Sequence, residues 1–360
     1  MDRRYLSLIV ALFAACCSAP RVDAQNLQKL NFLVPIRNVD EVYSPFVVAK
    51  YLGYYSAEGL DVNILPVGGS NEAAIQVGAG NGDVGLASPP EAIVGLQRGA
   101  LDIRYFYQVY YADIWKVAVP TDSPITNLRD LRGKRIGVPV MGSAAVTYGK
   151  AYLTKAGLNP DTDVTFVPIG FGGQALAAAQ QKMVDALLFY DVALVQFDLA
   201  GLKLRVIPTD REFDLLPDAG LLARNDTIQK RPKMLVGLGR AIAKGYDFTQ
   251  ANPAAAVKIT WSLYPDSKKR GPEADVLKAA IAANQSRMKI WNTPENGAKH
   301  GLIHREAWEK IMSFLVKQKI IAAPIPVERV YTNALIDEIN QYDRAAVSVA
   351  ARNLDPNSIK

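Results

Sequence analysis

Short apolar runs alternate along most of the chain with segments whose apolar positions recur three and four residues apart. The spacing predicts a strand over 29–35, a polar loop over 36–41, and a helix from about 44 to 54 that ends at Gly59-Leu60. A second strand follows over 61–67, and Gly68-Gly69-Ser70-Asn71 opens a helix ending near Ala79. The stretch Asn81-Gly-Asp-Val-Gly-Leu-Ala-Ser-Pro-Pro-Glu91 reads as a buried strand over 84–87 that breaks at Ser88. Proline is tolerated in a first helical turn, and a serine before it can cap that turn. A helix over 91–98 and a strand over 103–109 complete the first unit. Strands alternating with helices at this spacing indicate βαβ units and a largely parallel sheet.

The same order then starts again. Val34-Pro35 recurs as Val138-Pro139, and Gly59-Leu60 as Gly157-Leu158. Asp61-Val62, Pro66, Gly68, Asp83 and Leu86 recur 102 positions later as Asp163-Val164, Pro168, Gly170, Asp185 and Leu188. A period near one hundred residues makes the repeating unit a lobe. After strands expected at 204–207 and 219–223 the text turns helical, over 227–250, 253–263, 273–287 and 305–317. Helices need something to pack on, so the chain is expected to return to the first lobe. It would cross between lobes over 110–115 and 208–216, and two crossings make a hinge.

Composition narrows the class. A chain of 360 residues, 49% hydrophobic and 21% charged, suits a globular protein of one large or two medium domains. Met1-Asp-Arg-Arg4, an apolar run over 5–15 and Val22-Asp-Ala24 together read as a secretory leader cleaved before Gln25. Both cysteines, Cys16 and Cys17, fall inside it, so the mature chain would hold no disulfide. Lipid anchoring at Cys16 is the alternative, with Phe13 a poor residue at the start of such a signal. Removing residues 1–24 takes away Arg3, Arg4 and Arg21 with Asp2 and Asp23, and the net charge drops from +6 to +5. That excess is scattered, without like-charge runs, so nucleic acid is not implied.

Certain motifs occur in a familiar order: Ala49-Lys-Tyr-Leu-Gly-Tyr-Tyr-Ser-Ala-Glu-Gly-Leu-Asp-Val62, Gly82-Asp-Val-Gly85, Leu128-Arg-Asp-Leu-Arg-Gly-Lys134, and 246–253 followed by alanines. With them, nearly the whole mature chain resembles the periplasmic solute-binding proteins of ABC importers in the nitrate, sulfonate, taurine and thiamine-pyrimidine group. The resemblance implies an α/β, two-lobe periplasmic-binding-protein type II clamshell with a double-crossover hinge. It also implies a small solute passed to a membrane permease with its ATPase, a periplasmic location, a monomer and no cofactor. The expected organisation is a leader (1–24), lobe one (25–111), lobe two (112–212), the return to lobe one (213–350) and a disordered tail (351–360).

If the lobes face each other, the strand-to-helix loops nominate the lining. Lobe one offers Tyr43, Ser44, Ser70, Asn71 and Ser88; lobe two offers Gly142, Ser143, Ala144, Gln174, Tyr190 and Asp191. The crossing adds Tyr110 and Tyr111, with Trp115 beside them. Ser88 and Ser143 read equally as helix caps, and Asp191 reads as a cap or as an acceptor for a ligand N–H or O–H. Glu91 is expected to serve its own helix. Arg37 is the one arginine in these loops, which leans away from multiply charged anions toward a small polar organic solute; the resemblance implies a sulfonate, a nitrate-like anion or a pyrimidine-type compound. His300 and His304, four apart, read as surface residues rather than metal ligands. Neither a Gly-x-Ser-x-Gly elbow nor a phosphate loop occurs. The competing expectations are a ligand sensor of the same fold and an enzyme like the thiamine-pyrimidine precursor synthase, whose cysteine-rich motif this chain lacks.

Overall fold

A computed structural model describes residues 27–214, 216–291 and 299–359. The leader and both cysteines lie outside the described residues. Ten strands form two five-stranded mixed sheets. They are β1 (Gln28–Val34), β2 (Leu60–Pro66), β3 (Val84–Ala87), β4 (Ile103–Gln108), β5 (Trp115–Pro120), β6 (Arg135–Val138), β7 (Thr165–Pro168), β8 (Ala186–Tyr190), β9 (Leu204–Ile207) and β10 (Gly220–Arg224). The first sheet has the order β2-β1-β3-β10-β4 and the second β7-β6-β8-β5-β9. Each contains one strand antiparallel to both neighbours, β10 in the first and β5 in the second. These two are the first strands entered after the chain crosses from the other sheet.

The repeat seen in the text is a repeat of hydrogen bonding. Val34 pairs with Pro66 at the end of β1 and β2, and Val138 pairs with Pro168 at the end of β6 and β7. Asp83 exchanges backbone and side-chain bonds with Asn31, its carboxylate accepting from the Asn31 amide at 2.9 Å. Asp185 does the same with Arg135, accepting from its amide at 2.8 Å. In each half the aspartate satisfies one strand amide, Asn31 within β1 and Arg135 at the start of β6. Gly59 and Gly157 end their helices at φ of +75° and +84°, a region open to glycine at little cost.

The crossings 109–114 and 208–219 are bonded to each other. The Tyr110 amide donates to Ala219 O at 2.9 Å, and the Asp218 amide donates to Tyr110 O at 3.0 Å. Buried Gln108 fastens both, its Nε2 donating to Tyr110 O (2.8 Å) and Asp218 O (3.0 Å) while its Oε1 accepts from Trp308 Nε1 (2.9 Å).

Helical text after residue 225 packs as expected, with two differences. The segment read as one helix over 227–250 is two, Asn225–Lys230 and Pro232–Ala251, because Pro232 lacks the N–H that would continue the first and disfavours helical backbone at Arg231. Residues 351–359 are not a disordered tail. Helix Arg344–Asn353 runs into them, and the Asn252 side chain donates to Ala351 O (2.8 Å) and Leu354 O (2.9 Å). Among the described residues no helix is long and apolar enough to cross a membrane.

Candidate functional site

Strand β3 ends at Ala87 and the next helix, Pro89–Gln97, begins two residues later. Its echo is β8 ending at Tyr190 and helix Asp191–Leu199. These breaks face each other across a narrow cavity of about 40 Å³ at the carboxyl ends of the strands, where open α/β sheets bind ligands. Ser70, Ser88, Ser143 and Ala144 line it, and five aromatic residues wall it: Tyr43, Tyr110, Trp115, Phe171 and Tyr190. Trp115 and Tyr190 meet edge to face with centroids 6.2 Å apart.

Neither serine caps its helix. Ser88 and Ser143 hold the N-cap backbone conformation but make no side-chain cap bond. The Ser88 hydroxyl donates instead to the Asp218 carboxylate, and the Ser88 amide donates to Ser70 Oγ at 3.1 Å. Ser143 Oγ is buried without a partner among the described residues. Pro89 and Pro90 remove the amides at the first two helical positions, which leaves Ser88 only the Glu91 amide to cap.

Two charged residues of the wall escaped the sequence reading. Asp218, fully buried on the second crossing, has one oxygen bound to Ser88 and the other, Oδ2, unpartnered among the described residues. Burial pushes its carboxyl up to about 6 against the pull of Ser88 and Arg287. Arg287 comes from helix Glu273–Trp291, is 2% exposed, and donates to Asp191 Oδ1 at 2.5 Å. Its guanidinium lies 4.8 Å from the Tyr110 ring centroid and 6.0 Å from that of Tyr190. Burial is the strongest single influence and works against its charge, but Asp191, Tyr110, Tyr43 and Asp218 together outweigh it and hold the proton more firmly than usual. The expectation of no arginine beyond Arg37 is thereby corrected: Arg37 is exposed, and the cavity's arginine arrives from a helix remote in sequence. A signal was present, because Ala280, Ala283, Asn284, Arg287, Met288 and Trp291 form one buried stripe that Arg287 interrupts with a charge.

The structure places the other nominated residues elsewhere. Ser44 is buried behind the wall, donating to Glu41 O at 2.6 Å beside Thr260. Asn71 and Gln174 are exposed on the first turns of their helices. Tyr111 turns from the cavity and donates to Leu302 O at 2.9 Å. Gly142 is an exposed rim residue facing Gly69. Asp191 sits one step back from the cavity, spending one oxygen on Arg287 and its own Val192 amide. Glu91 reaches across instead of serving its helix, accepting from Thr147 Oγ1 at 3.0 Å. His300 is no surface residue: it is 1% exposed, with Nε2 2.9 Å from Asp247 Oδ1.

The NMT1/THI5 like family matches residues 41–256. A riboflavin-binding protein, RibY, of Chloroflexus aurantiacus is 25% identical over 90% of this chain and 90% of its own. Among solved structures, a protein of Bordetella bronchiseptica RB50 superposes with a TM-score of 0.72 at 23% identity, covering 88% of this chain and 98% of that one. The alkanesulfonate-binding protein SsuA of Xanthomonas axonopodis pv. citri, bound to MOPS, gives 0.65 at 17% identity over 86% and 99%. The desulfurization enzyme DSZB, in complex with biphenyl-2-sulfinic acid, gives 0.56 at 16% over 88% and 99%. These likenesses show a periplasmic-binding-protein fold, and the match over most of both sheets shows that the chain belongs to the NMT1/THI5-like family.

Proposed function

We propose that the chain is the solute-binding component of an ABC importer. In this reading it is exported to the periplasm as a monomer, closes its two lobes (27–111 with 213–350, and 112–212) around a small planar polar solute, and hands it to a permease with its ATPase. The observation that carries the reading is the Asp218 oxygen, without a partner among the described residues, at a cavity walled by aromatic rings. A buried acceptor of this kind favours a ligand N–H or O–H, and flat rings on several sides favour a flat ligand. Arg287 supplies the complementary donor, while Asp191 cancels its charge. A head that both donates and accepts, as pyrimidine-type rings do, suits this better than a nitrate-like anion.

A singly charged sulfonate is the second reading, supported by Arg287 Nε, which has no partner among the described residues. The cavity wall contains neither cysteine nor histidine among the described residues, which favours binding over covalent chemistry.

Thermal unfolding of the mature chain with uracil, riboflavin, taurine, MOPS and nitrate tests this. A cognate solute raises Tm, because binding the folded state alone stabilises by RT ln(1 + [L]/Kd). Asp218→Asn should remove the shift given by a pyrimidine-type solute. A shift from sulfonates alone, retained in Asp218→Asn, selects the second reading; no shift from any small solute sinks both.

A further inference from the structure

A second chamber of about 400 Å³ is lined, like the inner cavity, by residues of both halves of the molecule. Four stretches of chain pass from the wall of one to the wall of the other. Tyr43 faces the inner cavity and Glu41 the outer chamber; Phe171 faces the inner and Gly173 the outer; Tyr190 the inner and Phe197 the outer. Helix Glu273–Trp291 presents Arg287 to the inner cavity and Ala280 to the outer chamber. Seven residues of helix rise about 10 Å, which sets the spacing of the two spaces.

Their chemistry differs. The inner cavity gathers serines, Asp218 and Arg287, whereas Leu176, Phe197, Trp261, Val276 and Ala280 make most of the outer chamber's surface apolar, with Lys269, Arg270 and Asp275 also in its lining. Its volume falls in the range of roughly 300–1,000 Å³ common to sites for small organic ligands. Glu41, 3% exposed, lines the outer chamber two residues from Tyr43 of the inner cavity. Its Oε1 accepts from Gln196 Nε2 across the cleft at 3.1 Å, and its Oε2 has no partner among the described residues. A buried oxygen in that condition favours a ligand that donates to it.

We infer that the solute is bipartite. Its polar head occupies the inner cavity, and an apolar body occupies the outer chamber, with an N–H or O–H near Glu41 between them. The inference rests on the binding reading above and adds the second half of the molecule bound. A bare pyrimidine or a two-carbon sulfonate would leave the outer chamber unused.

Calorimetric titration of the mature chain with two probe pairs tests it: uracil against lumichrome, and methanesulfonate against octanesulfonate. The long member of whichever pair binds should bind at least tenfold tighter than the short one. Gly173 is the place to fill the chamber, since its backbone is not left-handed and an added Cβ meets no atom within 4 Å. Gly173→Phe should weaken the long probe tenfold or more and leave the short one within twofold. Leu199→Glu, at a chamber position already 59% exposed, should do the same without touching the fold. Equal affinity of short and long probes, or no selective loss in either variant, overturns the inference while leaving the binding reading standing. Failure of all four probes overturns both.

Discussion

Asp191 and Arg287 meet at 2.5 Å across the cleft, the carboxylate from the helix after β8 and the guanidinium from a helix packed on Pro253–Leu263 and the turn Glu41–Tyr43. Breaking a buried pair by removing one partner costs about 3–5 kcal/mol where the remaining charge stays buried. Here the remaining charge has an escape, because opening the cleft hydrates it. Asp191→Ala should therefore shift the ligand-free protein toward an open form, seen as a larger radius of gyration in X-ray scattering, and weaken solute binding by tenfold or more. Its Tm should fall far less than that of a core variant. Equal losses of stability and affinity, with unchanged dimensions, would assign the pair to the fold alone.

Much of this site was legible in the chain because it is local. The strand-to-helix breaks at Ser88 and Tyr190 follow from apolar runs ending at proline or a polar residue, and the 102-residue echo sets them in opposition. Side-chain destinations were not legible where the partner is distant. Ser88 reads as a cap until Asp218, 130 residues on, is found accepting its proton. Arg287 reads as one polar position in a helix until that helix is seen to bridge the halves. The histidine pair misled for the same reason: nothing near His300 announces Asp247 or the buried place it occupies.

Several buried and half-buried carboxyls predict an acid-side optimum. Burial first of all raises Asp40 and Asp218 to about 6, Glu41 to about 7, and Glu91 and Asp113 to about 8. The folded state thus binds more protons than the unfolded chain between about pH 4, where free carboxyls titrate, and those values. Stability from these groups is greatest at low pH and falls as pH rises through that window. Asp185 and Asp198 act oppositely, held low by Arg135 and Lys203, and their contribution is lost as pH falls below the usual carboxylate range. Tm should peak at about pH 5 and decline toward pH 8. Glu91→Gln should flatten that decline while keeping the Thr147 bond, measured by thermal scans from pH 4 to 9; a decline unaltered in Glu91→Gln would show that Glu91 is charged in the fold.

Gln108 ties the two crossings to Trp308 through bonds that nothing else makes. Gln108→Leu keeps the volume and strips the amide, leaving the Trp308 N–H buried and unpaired. A loss of about 2 kcal/mol is expected, read by urea unfolding, with Gln108→Glu worse than Gln108→Leu because it also buries a charge. A neutral Gln108→Leu would mean that the crossings are held by their backbone bonds alone.

Two glycines that face each other should answer differently to the same change. Gly69 stands at φ +148°, and a Cβ there would lie 3.0 Å from the Gly142 carbonyl oxygen across the cleft. Gly142 has no such backbone, and a Cβ on it would meet nothing within 4 Å. Gly69→Ala therefore carries backbone strain in every state, more than about 1 kcal/mol, and a further clash only when the lobes are shut. Solute affinity should fall by more than the Tm loss accounts for, and the ligand-free protein should scatter as an opener form than wild type. Gly142→Ala should leave both within error. Matching behaviour of the two variants would mean that the approach of 69 to 142 is not what limits closure.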